Sequence, residues 1–243
     1  MDWYVKLEGG DFDIGLFKEL LESPHVESGS ILVVEEDDSF YLTSGHFSDL
    51  VDAHDVMKMA TDLLETINSI LRLYCIPLGA ISIGNSTHSI EDGQREGFTF
   101  LEGEFDARTV EYSIEAFHNE LDIDHDPLSL GNWFSLSISN EAVRDALHFF
   151  HLDNWSSLYK VYEIVKDDIG GEGRIVELGW ASRTQLREFR QTSQSVDVLS
   201  DEARHGIRKY PPPSSPTTLT DARNLIRLIL RRWLSSMEQS GAA

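Results

Sequence analysis

The alternation of apolar and polar positions changes character along the chain. Up to about residue 117 short runs dominate, several of them strand-like, whereas beyond about residue 133 apolar residues recur every three or four positions. "WYVKLEG" near the start predicts a short strand with turn glycines after it. In "FDIGLFKELL", Ile14, Phe17, Leu20 and Leu21 hold helical spacing. "ILVVEEDDSFYLTS" is two strand-like runs around an acidic turn and predicts a hairpin. The longest periodic segment of this half runs from Asp52 to Tyr74. Val56, Ala60, Leu63, Ile67, Ile70 and Tyr74 mark its apolar face, and Asp52 and Asp55 sit at its start, where negative charge suits the helix dipole. After Pro77 the strand pattern returns in "GAISIGN", "GFTFLEGEF" and "RTVEYSI", separated by glycine-rich turns.

"HNELDIDHDPLSLGN", from His118 to Asn132, is polar and turn-rich, and a domain boundary is placed there. The remainder of the chain predicts helices. "SNEAVRDALHFFHL" opens with Ser139 and Asn140 as capping residues. "NWSSLYKVYEIVKDDIGG" sets Trp155, Leu158, Tyr159, Tyr162 and Val165 on one face and stops at Gly170-Gly171. "RTQLREFRQTSQ" is a further helix. The last runs from about Leu219 to Met237, with Thr218 and Asp221 at capping-box spacing and Leu225, Ile226, Ile229, Leu230 and Trp233 on its apolar face. The expected fold is therefore α+β. Residues 1–125 form an acidic α/β portion with antiparallel strands, and residues 133–243 form a helical bundle of about four helices. Trp155, Tyr159, Tyr162 and Trp233 are its expected aromatic core.

Composition narrows the functional classes. A chain of 243 residues can bury a core without covalent staples, and its one cysteine, Cys75, excludes an internal disulfide and a cysteine-pair zinc site. Cys75 lies in the apolar run "ILRLYCIPLG" and reads as a buried structural thiol. The start "MDWYVKLEGG" has no basic head and no long apolar stretch, and no window approaches a membrane span. A cytoplasmic setting is expected. The net charge is −22. Residues 1–175 hold 10 basic and 35 acidic residues, whereas residues 176–243 hold 10 basic and 7 acidic ones. Most of the surface should repel a phosphate backbone, so any nucleic-acid contact belongs to the last third.

Several stretches invite a chemical reading. In "DEARHGIRKYPPP", Arg204 and His205 could hold a phosphate and move a proton, with Arg208 and Lys209 beside them. The same residues also suit a helix end, with Gly206 as a left-handed cap, basic side chains on the last carbonyls and prolines blocking continuation. "DIDHD" begins like a calcium loop but has Pro127 where the glycine belongs and Trp133 where the closing glutamate belongs. His54-Asp55, with His46 nearby, resembles a metal-phosphohydrolase dyad, but helix-start chemistry already accounts for Asp55. "GEGR" at 171–174 has the glycines of a phosphate loop without its strand–loop–helix setting. No nucleophile elbow, Walker loop or dinucleotide fingerprint occurs, so no cofactor or metal is implied. Arg223, Arg227 and Arg231 recur every four residues on the last helix. They suit a solvated face, a surface that meets the acidic half in the same or a neighbouring subunit, or a phosphate site.

"WSSLYKVYEIVKDDIGG", "GWAS" followed by "LREFRQTSQS", "DEARHG", "PPPSSP" and a last helix from "LTDARNLI" to "RRWL" resemble the C-terminal half of a group of uncharacterised bacterial proteins. "ILVVEEDDSFYLTS" before a long helix resembles their N-terminal part. More distantly, the helical half is similar to the HEPN superfamily, many of whose members are ribonucleases in toxins and antiviral defence. That resemblance implies a helical bundle, a defence context and RNA cleavage. The superfamily pattern is an arginine, often followed by a polar residue, with a histidine about five to seven positions on. Arg204-His205 does not fit that spacing, and Arg144-Asp145 with His151 does. His151 follows "HFF" at a helix end and equally suits the edge of a core. Two functions emerge as expectations. One is a non-catalytic protein-binding or accessory subunit of a bacterial anti-phage system, partnered by another protein or by itself. The other is a HEPN-like ribonuclease, the only case that calls for RNA.

Overall fold

A computed structural model describes residues 1–21, 31–73, 81–101, 128–199 and 213–241. The chain divides into two compact units, Met1–Ser135 and Leu136–Ala243. The fold is α+β, with an antiparallel sheet in the first unit and helices in the second.

The first unit begins with β1 (Asp2–Glu8), whose alternate residues Trp3, Val5 and Leu7 are buried. Helix α1 (Asp11–Leu21) comes next, then the hairpin β2 (Ile31–Glu36) and β3 (Ser39–Ser44). A short 3-10 turn, Gly45–Phe47, leads to α2 (Ala53–Leu73), and a second hairpin joins β4 (Ser82–Glu91) to β5 (Gln94–Thr99). The strand order is β2-β3-β1-β4-β5, antiparallel throughout. β1 thus lies in the middle, and the two hairpins flank it. Val56, Ala60, Leu63, Ile67 and Ile70 are buried as the periodicity predicts for α2, Met57 and Leu64 join them, and Tyr74 lies outside the described residues. Asp52 caps this helix, since its carboxylate accepts the His54 backbone N–H at 2.7 Å.

The turns explain both hairpins. Asp37 and Asp38 both adopt positive φ, at 50° and 56°, as a two-residue turn of the primed type requires. Asp92 and Gly93 do the same at 49° and 77°. This Asp-Gly signal makes one strand of 82–91, longer than "GAISIGN" suggests, and starts the next at Gln94. Opposite Val5–Leu7, β4 carries two extra residues, because Val5 faces Thr87 and Leu7 faces Ile83. Gly84 lies in that bulge, where a Cβ would stand 3.1 Å from the Glu8 carboxylate. β5 ends at Thr99, three residues into "GFTFLEGEF", and residues 102–105 and "RTVEYSI" lie outside the described residues.

The turn-rich reading of residues 118–132 needs correction at its described end. That end is helical: α3 spans Leu128–Ser139, and the division between the units falls inside it. Serines, Gly131 and Asn132 give this stretch the composition of a loop. Burial of Trp133, Phe134 and Ser137 sets the helix instead. Cys75, Asp122 to Asp126 and the segment from Asp201 to Pro212 lie outside the described residues.

The second unit contains α4 (Glu141–Leu152), α5 (Trp155–Asp168), α6 (Glu172–Glu177), α7 (Arg183–Gln194), α8 (Val196–Leu199) and α9 (Leu219–Gly241). Asn140, Asn154 and Ser182 cap α4, α5 and α7, the last two in full capping boxes. At α9, Thr218 Oγ1 accepts the Asp221 N–H at 3.1 Å. Helix α5 packs against α4, α6, α7 and α9. Trp155, Tyr159, Tyr162 and Trp233 are buried, as the aromatic spacing predicts. Phe189 completes this core: its ring stacks on Trp155 and Tyr159 and meets Tyr162 edge-on. Gly171, at φ 119°, starts α6, so "GEGR" is a helix start. No described helix is long and apolar enough to cross a membrane.

Candidate functional site

The structure does not bring Arg144 and His151 together on an open surface. They stand seven residues apart on α4, about 10 Å along its axis. The Arg144 guanidinium donates to the Ser137 carbonyl at 3.3 Å and to the Ile138 carbonyl at 3.1 Å, so it caps the last turn of α3. His151 is 4% exposed, within the last turn of α4. Burial of Val143, Ala146, Leu147 and Phe150 on the same helix draws His151 into the core edge.

The arginine stripe of α9 is not the solvated face that its spacing suggests. Each step of four residues advances about 40° around a helix. The stripe therefore drifts across the flank of a broad apolar face formed by Ala222, Leu225, Ile226, Ile229, Leu230, Trp233 and Leu234. Arg223 donates from Nε to Asp153 Oδ1 at 2.9 Å, an ion pair inside the helical unit. Arg227 is 6% exposed, and Arg231 is half-buried. Arg204, His205, Arg208 and Lys209 lie outside the described residues. His46, His54 and Asp55 are exposed, and among the described residues no group of three His, Cys, Asp or Glu side chains is placed to hold a metal ion.

Two polar clusters escape a reading by motif. In the sheet unit, His88 on β4 is buried between the stacked ring of Tyr4, 5.0 Å away, and the edge-on ring of Tyr41. Arg95 Nη2 donates to His88 Nδ1 at 3.1 Å. A guanidinium can only donate, so Nδ1 accepts and the neutral imidazole carries its proton on Nε2. Glu36 Oε2 stands 3.7 Å from that nitrogen and 3.1 Å from Arg95 Nη1. Burial and the Arg95 charge hold the His88 pKa below its ordinary value, against the pull of Glu36. Glu36 and Arg95 belong to opposite edge strands, so the sheet must curl strongly for their side chains to meet.

In the helical unit, Tyr162 Oη donates to Glu172 Oε2 at 2.5 Å, and Arg190 Nε meets the same oxygen at 3.0 Å. Burial and that hydrogen bond push the Tyr162 pKa well above the ordinary tyrosine value. The cluster ties α5, α6 and α7 together, and the Gln194 amide adds a 2.7 Å bond to Tyr159 Oη. Both clusters join separate elements of the fold, Glu36 of β2 to Arg95 of β5 and Glu172 of α6 to Arg190 of α7, and carry no spacing signature.

Among the described residues an open groove lies at the sheet edge. With a volume of about 800 Å³, it runs along β2. Leu32, Val33, Val34 and Glu35 line it from the strand, Asp37 and Asp38 from the turn, and Lys18 from α1. Three carboxylates thus face one ammonium group. The charge of the chain is concentrated in the same unit. Residues 1–135 hold 6 basic and 28 acidic residues, net −22, whereas residues 136–243 hold 14 of each. The chain matches no family model, no curated protein and no solved structure.

Proposed function

We infer that this chain is a non-catalytic, protein-binding accessory subunit whose acidic sheet unit docks on a basic protein surface. The coincidence of charge and structure carries the reading: the whole net charge of −22 falls within one compact unit, and the other is neutral. Such a field attracts a cationic surface, speeds its docking and repels nucleic acid. Setting this subunit in an anti-phage system rests on the sequence resemblance alone.

Pull-down from the native host across a salt series tests the reading, with mobility shift on mixed DNA and RNA and incubation with total RNA alongside. The expected result is a basic protein partner released as salt rises, because exposed charges are screened over about 8 Å at physiological ionic strength. No nucleic-acid shift and no cleavage are expected. RNA cleavage by the wild type, lost in His151→Ala with an unchanged melt, would replace this reading with the ribonuclease.

A further inference from the structure

We propose that the outer edge of β2 is a strand-addition site for an extended partner segment that carries basic side chains beside Glu35, Asp37 and Asp38. The inference rests on the protein-binding reading above and specifies its partner.

The turn sets the geometry. A two-residue primed turn makes its flanking pair, Glu36 and Ser39, a hydrogen-bonded pair. Antiparallel pairing then alternates, so Val34–Tyr41 and Leu32–Thr43 are also hydrogen-bonded pairs. The N–H and C=O groups of Ile31, Val33 and Glu35 consequently point away from β3. Among the described residues β3 is the only strand that pairs with β2. These outward groups form a template for another strand, and the groove supplies the space beside it.

The strand itself carries few of the usual guards, although Lys18 of α1 lines the groove beside it. Ile31–Glu36 contains no lysine and no proline, and its six pairs with β3 run without a bulge. Its protection is acidic and lies at one end, which selects the occupant. A second copy of this chain brings another net charge of −22, so self-pairing is opposed. An extended segment with lysine or arginine at alternate positions places positive charge against Glu35 and the turn aspartates. Its apolar residues meet Leu32, which is 39% exposed, and the half-buried Val34.

Backbone pairing and charge attraction can be separated. The probe is a labelled peptide of about eight residues alternating lysine and valine, a common strand length. Its control carries N-methyl groups on alternate amides along one edge, with a second control methylated on the other edge. The unmodified peptide is expected to bind the full chain, and methylation of one edge is expected to cost roughly tenfold in Kd while the other is tolerated. Glu35→Gln should weaken binding through charge. Glu35→Pro should weaken it further, because it also removes an outward N–H at an edge position where proline is tolerated. If that variant does not fold, the methylated peptides decide alone. Equal, salt-sensitive binding of all three peptides overturns strand addition while leaving the acidic unit a binder of basic proteins. Binding of none, with a basic partner still captured in the pull-down, places the interface elsewhere and overturns the proposal. A dimer that lysine–valine peptide cannot dissociate would make a second copy the occupant and overturn it likewise.

Discussion

The sheet unit and the helical unit each set a Glu–Arg pair against a titratable ring, yet only the sheet unit carries net charge. In the sheet, Glu36 and Arg95 join opposite edges across His88. In the helices, Glu172 and Arg190 join α6 to α7 beside Tyr162. The rings respond in opposite senses. Burial disfavours imidazolium in one and phenolate in the other, so acid should strain the sheet unit and alkali the helical unit. The difference teaches how the protein uses charge. Each unit pairs a glutamate and an arginine to hold distant elements in place, whereas the excess carboxylates remain on one unit, where they can act on a partner.

The largest effects should come from the buried tryptophans. Trp3 is 1% exposed and donates from Nε1 to the Leu50 carbonyl at 2.9 Å; Trp233 is fully buried and donates to Asp168 Oδ2 at 2.7 Å. Trp3→Ala and Trp233→Ala should each destabilise by about 3–5 kcal/mol. Thermal melts measure the loss, and amide exchange assigns it to the sheet strands for Trp3 and to α5 and α9 for Trp233. Equal loosening of both units by either variant would break the comparison.

Next comes Tyr162→Phe. Removing the hydroxyl deletes a hydrogen bond to a carboxylate and should cost about 1.5–3 kcal/mol near neutral pH. The folded pKa is raised above the ordinary value of 10.0, so the associated stability is fully present below pH 10.0 and is lost as pH rises above it. The gap between wild type and variant should therefore narrow in alkali. A gap constant to high pH would detach Tyr162 from the unit's alkaline response.

His88→Phe tests the opposite side. The folded pKa lies below the ordinary 6.5, so the unfolded chain binds the proton more readily and stability falls as pH drops through and below 6.5. The variant, which keeps a ring against Tyr4, should lose less stability than wild type between about pH 7 and about pH 5. Denaturant titrations at both pH values measure this. Identical losses would show that His88 does not sense acid.

The smallest effect belongs to Arg144→Ala. Loss of an arginine capping α3 should cost about 0.3–1 kcal/mol, seen as a small shift in the melt, with no change in any RNA assay. A variant that loses an RNA-cleaving activity would return Arg144 to catalysis.

Local chemistry was legible where it acts within a few residues. Asn140 and Thr218 lie immediately before their helices, so propensity and spacing mark those starts; Asn154 and Ser182 cap by the same local chemistry, whereas Ser139, also read as a cap, closes α3. The stripe on α2 and the aromatic face of α5 follow from helical periodicity, which a sequence displays directly. α3 was not legible, since its serines, glycine and asparagine favour loops and only burial of Trp133 and Phe134 outweighs them. The arginines of α9 share a spacing with solvated faces, and only the packing of the bundle turns Arg227 inward. By itself the sequence determined the α+β class, most helix starts and the large excess of acid. Tertiary structure decided which charges meet and which strands take the sheet edges. Glu36 meets Arg95 only because five strands curl, and among the described strands β2 ends the sheet because β3 and β1 take their places on one side of it. Such pairings depend on strand order, and strand order arises from contacts between residues that no local pattern connects.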